Sequence, residues 1–163
     1  MCPDDAPHDA FEDPLSNYDP PTYSDSLAQA LAEHAVNEIR LIPYTEIAPD
    51  ATVLSSVQTL ASLGISSLLV VKDEQLVGII TERDILERTS EQFARVKDRP
   101  VSDVMTANPV VIYDDDPAGA ALAAIAASGY RHVPVLNRQG KIVGIVSPRR
   151  VFRFLDERMS SSA

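Results

Sequence analysis

In the stretch "GIITERDIL", residues 78–86, Thr81 and Asp84 have the types and spacing that nucleotide chemistry needs. Thr81 stands where a strand should end and a helix begin. The first turn of a helix offers unpaired backbone N–H groups and a positive dipole end, a natural place for phosphate. Asp84 lies one turn in, where its carboxylate can accept from both cis hydroxyls of a ribose. Hydrogen bonds to a charged acceptor are worth about 1.5–3 kcal/mol each. The same two residues can also do no more than cap that helix. Sixty-six positions later the pattern returns as "GIVSPRRVF", residues 144–152, with Arg150 in place of the aspartate. Arginine has no hydrogen-bond acceptor, so the second copy lacks a ribose anchor and gains a fixed positive charge.

Both turns belong to a tandem repeat that must position them. In the first copy "DATVLSSVQTLASLG" reads as a helix with Leu54, Val57 and Leu60 inward and Gly64 as its stop. "SSLLVV" is then a strand, "KDEQ" a turn, "LVGIIT" a strand and "ERDILERT" a short helix. In the second copy Asp116 and Pro117 open the helix and Gly129 ends it. "HVPVL" and "KIVGIVS" are strands, and "PRRVFRFLDERM" is the closing helix. The offset grows from 65 at Gly64/Gly129 to 66 at Gly78/Gly144, and Gly140 in the inter-strand turn accounts for the extra residue. Continuous apolar strands flanked by helices imply covered sheets.

The 163-residue chain carries a net charge of −10, placed unevenly. Residues 1–26 hold seven acids and no Lys or Arg, leaving 17 acids and 14 bases in the rest. That body tolerates a phosphate site but does not encourage nucleic-acid binding, which needs an extended basic patch. Residues 1–25 also hold five prolines and are expected to be a disordered acidic tail. "SLAQALAEHAVNEIR", residues 26–40, spaces Leu27, Leu31, Ala35 and Ile39 as an amphipathic helix, with Ser26 and Gln29 as a capping box. The first residues show no secretory signal and no apolar run reaches membrane length, so a cytoplasmic location is expected. A single cysteine, Cys2, forms no internal disulfide, and His8, His34 and His132 show no metal-ligand spacing. No nucleophile elbow, Walker loop or GxGxxG is present.

Two duplicated motifs carry a family resemblance. One is glycine, apolar residues and proline at the first strand, "GYRHVPVL" and, without the proline, "GISSLLVV"; the other is "GIITERD". Over roughly residues 41–155 the chain resembles a pair of CBS domains, the Bateman module. The resemblance implies an α/β fold of tandem CBS domains, two β-α-β-β-α repeats with pseudo-twofold symmetry. These would follow the N-terminal helix and the tail, as repeat 1 (41–100) and repeat 2 (101–157).

It also implies a non-catalytic regulatory module with no cofactor, a ligand such as AMP, ADP or ATP, a homodimer and an effector protein regulated in trans. The small residues of "DPAGAALAAIAASG" suit such helix packing, against a second chain or within one. The family's geometry sets the Thr-x-x-Asp of one repeat against the first strand of the other. Carried across, Thr81 and Asp84 meet Arg131, His132 and Pro134, with Ile79 and Val110 as a purine slot and Arg149 beside a neighbouring phosphate. One nucleotide per chain, anchored by Asp84, is the expectation. Departures from the motif at Ser66, Ser67, Leu69 and Arg150 support another reading, an interaction scaffold whose pocket stays empty. An S-adenosylmethionine or NAD sensor is a further alternative.

Overall fold

The computed structural model describes residues 26–89 and 91–160. The acidic tail, residues 1–25, lies outside them. The first repeat begins with β1 (Glu46–Ile47), crosses through helix α2 (Val53–Leu63) and returns in β2 (Ser67–Lys72) parallel to β1. Thr52 caps α2, its hydroxyl accepting from Ser55 N at 3.1 Å. Asp73 and Glu74, both at positive φ, form the two-residue turn into the antiparallel β3 (Gln75–Thr81). Helix α3 (Glu82–Thr89) follows at once, then a short helix α4 (Phe93–Val96). Strand β4 (Thr106–Ala107) completes a four-stranded sheet of order β1-β2-β3-β4. The second repeat has β5 (Ile112–Tyr113), α5 (Ala118–Ser128), β6 (Val133–Leu136), β7 (Ile142–Val146) and α6 (Pro148–Ser160), with sheet order β5-β6-β7. The expected architecture of two β-α-β-β-α units is therefore present.

The repeats exchange segments. Val101 and Val104, which precede the second repeat, are buried in the core of the first with Val53, Leu60, Leu68, Val70 and Ile80. Val36, Ile39 and Leu41, which precede the first repeat, fill the core of the second with Val133, Val135, Val146, Val151 and Phe154. A third cluster, Leu69, Ile79 and Ile145, joins the two sheets. Boundaries drawn along the chain at 41–100 and 101–157 thus do not follow the packing. The exchange explains the glycine in each turn motif. A Cβ on Gly144 would lie 2.6 Å from Leu41 O, and one on Gly78 would lie 3.1 Å from Thr106 O.

The helix expected over residues 26–40 ends early: α1 spans Ser26–Glu33, and a 3-10 turn follows at Val36–Glu38. Backbone pairing with the second repeat diverts the chain. His34 O accepts from Ala118 N at 2.7 Å, while Val36 N and Asn37 N donate to Asp116 O and Asp114 O at 2.8 Å. Ser26 is itself the first helical residue, and Gln29 points down the helix to Glu33, not back to a cap. Helix α1 packs on α5 and α6, and Gly119 of α5 lets it approach closely at Leu31. Ala118 and Ala121 of α5 are fully buried in the same core as Ala30 of α1. At least part of the small-residue face is thereby used within the chain.

Candidate functional site

Asp84 is 9% exposed, and the acceptor positions of its carboxylate are occupied. Oδ2 accepts from Thr81 N at 2.9 Å and Thr81 Oγ1 at 2.6 Å. Oδ1 accepts from Thr106 Oγ1 at 2.9 Å and pairs with Arg88 Nη2 at 3.3 Å. Arg88 reaches on to Val104 O and Met105 O, both at 2.6 Å. A carboxylate offers about four lone-pair sites, and four donors meet this one. Asp84 caps α3 and pins β4 against β3; a ribose must displace Thr106 or Arg88 to reach it.

Arg150, in the corresponding turn, works by the opposite charge. Its guanidinium donates to Leu41 O, to Ile145 O at 2.7 Å and to Pro43 O at 2.5 Å. Those carbonyls belong to β7 and to the segment lying beside it as β4 lies beside β3. Burial, and Arg40 nearby, lower the pKa of Arg150. The charge that stands in place of Asp84 holds the exchanged segment.

Between the repeats lies a cavity of about 250 Å³. Tyr44, Leu69 and Ile145 give it apolar walls, and Ser66, Ser67 and Ser147 bring hydroxyls; His132, Arg149 and Arg150 complete the polar side. Ser66 Oγ and His132 Nε2 are 3.2 Å apart, and Ser66 O accepts from Glu82 N, so one serine links α3 to the second repeat. Burial first, then the Arg150 and Arg131 charges, hold the His132 imidazole below its usual range. At neutral pH it offers hydrogen bonds, not charge. Burial, then Glu46, raises the pKa of Tyr44, which stays a neutral phenol.

Only His132 and Arg149 of the residues expected at the site line this cavity. Ile79 is 2% exposed in the seam between the sheets, and Pro134 is buried in β6 opposite Ile145. Val110 and Arg131 are exposed. The cavity is the mirror image of the expected site. By strand register and repeat offset, Ile79 corresponds to Ile145, Thr81 to Ser147, Asp84 to Arg150 and Val110 to Thr45; Arg131, His132 and Pro134 correspond to Ser66, Ser67 and Leu69. All seven counterparts line it. The repeat itself was the signal for them; the carboxylate drew attention to the other side. No three His, Cys, Asp or Glu side chains are grouped to hold a metal among the described residues, and no described helix is long and apolar enough to cross a membrane.

A family model, the CBS domain, matches residues 36–91 and 101–157. A 17.7 kDa protein of Acidianus ambivalens is 32% identical over 121 residues, covering 74% of this chain and 72% of that one. Among solved structures, the CBS domain NE2398 is 36% identical with a TM-score of 0.62, covering 68% of this chain and 86% of that one. The CBS domain protein PAE2072 from Pyrobaculum aerophilum, complexed with AMP, has a TM-score of 0.67 at 23% identity, covering 78% and 99%. Of a longer CBS domain-containing protein of Arabidopsis thaliana, 30% identical, the chain spans 21%.

Proposed function

The chain belongs to the CBS-domain family, and on that premise we propose that it is a non-catalytic regulatory module. It binds an adenine nucleotide (AMP, ADP or ATP) between its repeats and acts on a partner protein in trans. The observation that carries this reading is the inter-repeat cavity, with apolar walls at one side and hydroxyls, an imidazole and arginines at the other. Tyr44, Leu69 and Ile145 suit a purine, and Ser66, Ser67 and Ser147 suit its polar edge and the sugar. AMP bound by a protein of this fold supports the ligand class. A second placement, at Asp84, is favoured by the carboxylate itself, which can accept from two ribose hydroxyls at once.

Leu86 of α3 and Phe152 of α6, which correspond in the two repeats, are 65% and 63% exposed and support a homodimer joined through these helices. Light scattering of that dimer gives twice the 17.7 kDa chain mass; a monomer at micromolar concentration removes the dimer.

Titration calorimetry with AMP, ADP, ATP, NAD and S-adenosylmethionine tests the ligand and its placement. The expected result is one nucleotide per chain, weakened about tenfold in Tyr44→Ala, in line with ~1–3 kcal/mol for base–aromatic contact. Asp84→Asn should leave binding nearly unchanged. The reverse pattern moves the nucleotide to the Asp84 side. Binding of none of the five at millimolar concentration favours the empty scaffold.

A further inference from the structure

A second and larger cavity, about 720 Å³, opens along α6 beside the inter-repeat cleft. Pro43, Ser147, Arg149 and Arg150 line both, so the two spaces adjoin across a shared wall. Arg40 and Arg153 join Arg149 and Arg150 on its wall. We propose that this arginine groove binds the phosphate chain of a nucleoside polyphosphate, which makes the ligand a triphosphate in preference to a monophosphate. The inference rests on the nucleotide reading above for the nucleoside half alone.

Three observations carry it. First, Arg40, Arg149 and Arg153 are exposed and make no side-chain hydrogen bond or ion pair among the described residues. Two glutamates, Glu38 and Glu157, also line the groove, but Glu38 is held by Arg158 at 2.7 Å and by His34, and Glu157 has a partner other than these three arginines. Arg149 and Arg153 stand four apart on one helix face, where like charges repel, and an anion between them removes that cost. Arg40 adds a further positive charge close enough to lower the pKa of Arg150. Guanidinium forks match phosphate oxygens two at a time.

Second, the fold does not require these charges. At the corresponding places in the first repeat, Arg40 is answered by Met105, Arg153 by Glu87 and Arg149 by Arg83. There Arg83 Nε donates to Glu87 Oε1 at 2.7 Å, and Asp84 takes Arg88. The first face neutralises itself; the second leaves three guanidiniums to solvent.

Third, the cleft alone is small. Its volume of about 250 Å³ lies below the ~300–1,000 Å³ usual for small-ligand pockets. It takes a nucleoside, and phosphates attached to that nucleoside leave through the shared wall at Ser147 and Arg149.

Titration calorimetry of the full chain with AMP, ATP and inorganic tripolyphosphate, in chelator and moderate salt, tests the proposal on wild type and on Arg40→Gln/Arg153→Gln. Both substituted side chains are exposed, and a thermal melt confirms that the variant folds. ATP should bind wild type about tenfold more tightly than AMP or better, given the added charge-assisted contacts. The double variant should bring ATP down to the affinity of AMP while AMP itself holds. Equal affinities in wild type, or a variant that weakens AMP and ATP alike, overturns the proposal and leaves the nucleotide reading standing. If no nucleotide binds, that reading falls, and tripolyphosphate decides the groove. Binding to wild type that the double variant loses upholds the groove as a polyphosphate site; no binding overturns it.

Discussion

At the turn after β3 a carboxylate, Asp84, gathers two hydroxyls, a backbone N–H and an arginine. At the turn after β7 a guanidinium, Arg150, gathers three carbonyls. Each turn secures the segment that arrives from ahead of the other repeat, residues 104–107 in one case and 41–43 in the other. The first uses two side chains, Asp84 and Arg88. The second uses one, with Phe154 buried where Arg88 would be. The exchanged segment must be held, but either sign of charge can hold it. With that freedom the second face is arginine-rich, and its cleft sets hydroxyls and apolar side chains beside His132, Arg149 and Arg150.

The glycines give the largest test of this comparison. In Gly144→Ala the new methyl meets backbone, Leu41 O, which cannot step aside. A loss of about 2–3 kcal/mol is expected from such overpacking. In Gly78→Ala the nearest group is the flexible Met105 side chain, with Thr106 O at 3.1 Å, so about 1 kcal/mol is expected. Urea midpoints at constant m separate the two. Equal losses would mean that the two crossings are equally rigid.

Removing the charges is the next test. Arg150→Met keeps the aliphatic stem but leaves Pro43 O and Ile145 O without the guanidinium; about 2 kcal/mol is expected. Asp84→Asn retains one acceptor oxygen but turns an NH2 group toward a donor, and about 1 kcal/mol is expected. The same urea series ranks them. An Arg150→Met protein as stable as wild type would refute the clamp.

Most of the fold was legible because its signals are local. Gly64 and Gly129 end α2 and α5, the apolar runs at 67–81 and 133–146 are strands, and Thr81 to Asp84 opens α3 as expected. The end of α1 was not legible, because nothing in "EHAVNEIR" announces that its backbone pairs with residues 114–118. The exchange of residues 36–41 and 101–107 was hidden for the same reason: it depends on partners about 20 to 120 positions away. The open cleft was half legible. The repeat offset names seven of its thirteen lining residues once the copies are aligned, but Ser66, Ser67 and Arg150 carry none of the chemistry that makes Asp84 conspicuous.

The smallest expected effect concerns His132, the counterpart of Ser67, which brings a titratable group to one side of the molecule only. Its folded pKa lies below the ordinary value, chiefly through burial and then through the Arg150 and Arg131 charges. In the unfolded chain the imidazole titrates near ~6.5. As pH falls through that value the unfolded state takes up a proton that the folded state refuses, so stability declines toward the folded pKa and is flat again below it. Above ~7 neither state is protonated and the group contributes no slope. His132→Asn removes the titration, so its urea midpoint should fall less than that of wild type between pH 7.5 and pH 5.5. Ser67→His supplies the sharper control, since it places the same group in the first repeat, where Glu82 follows Thr81, the strand partner of Ser67. A wild-type midpoint that rises as the pH drops over this interval would show that His132 is stabilised as a cation, and would reassign it from a hydrogen-bonding wall of the cleft to a fifth positive charge beside the groove.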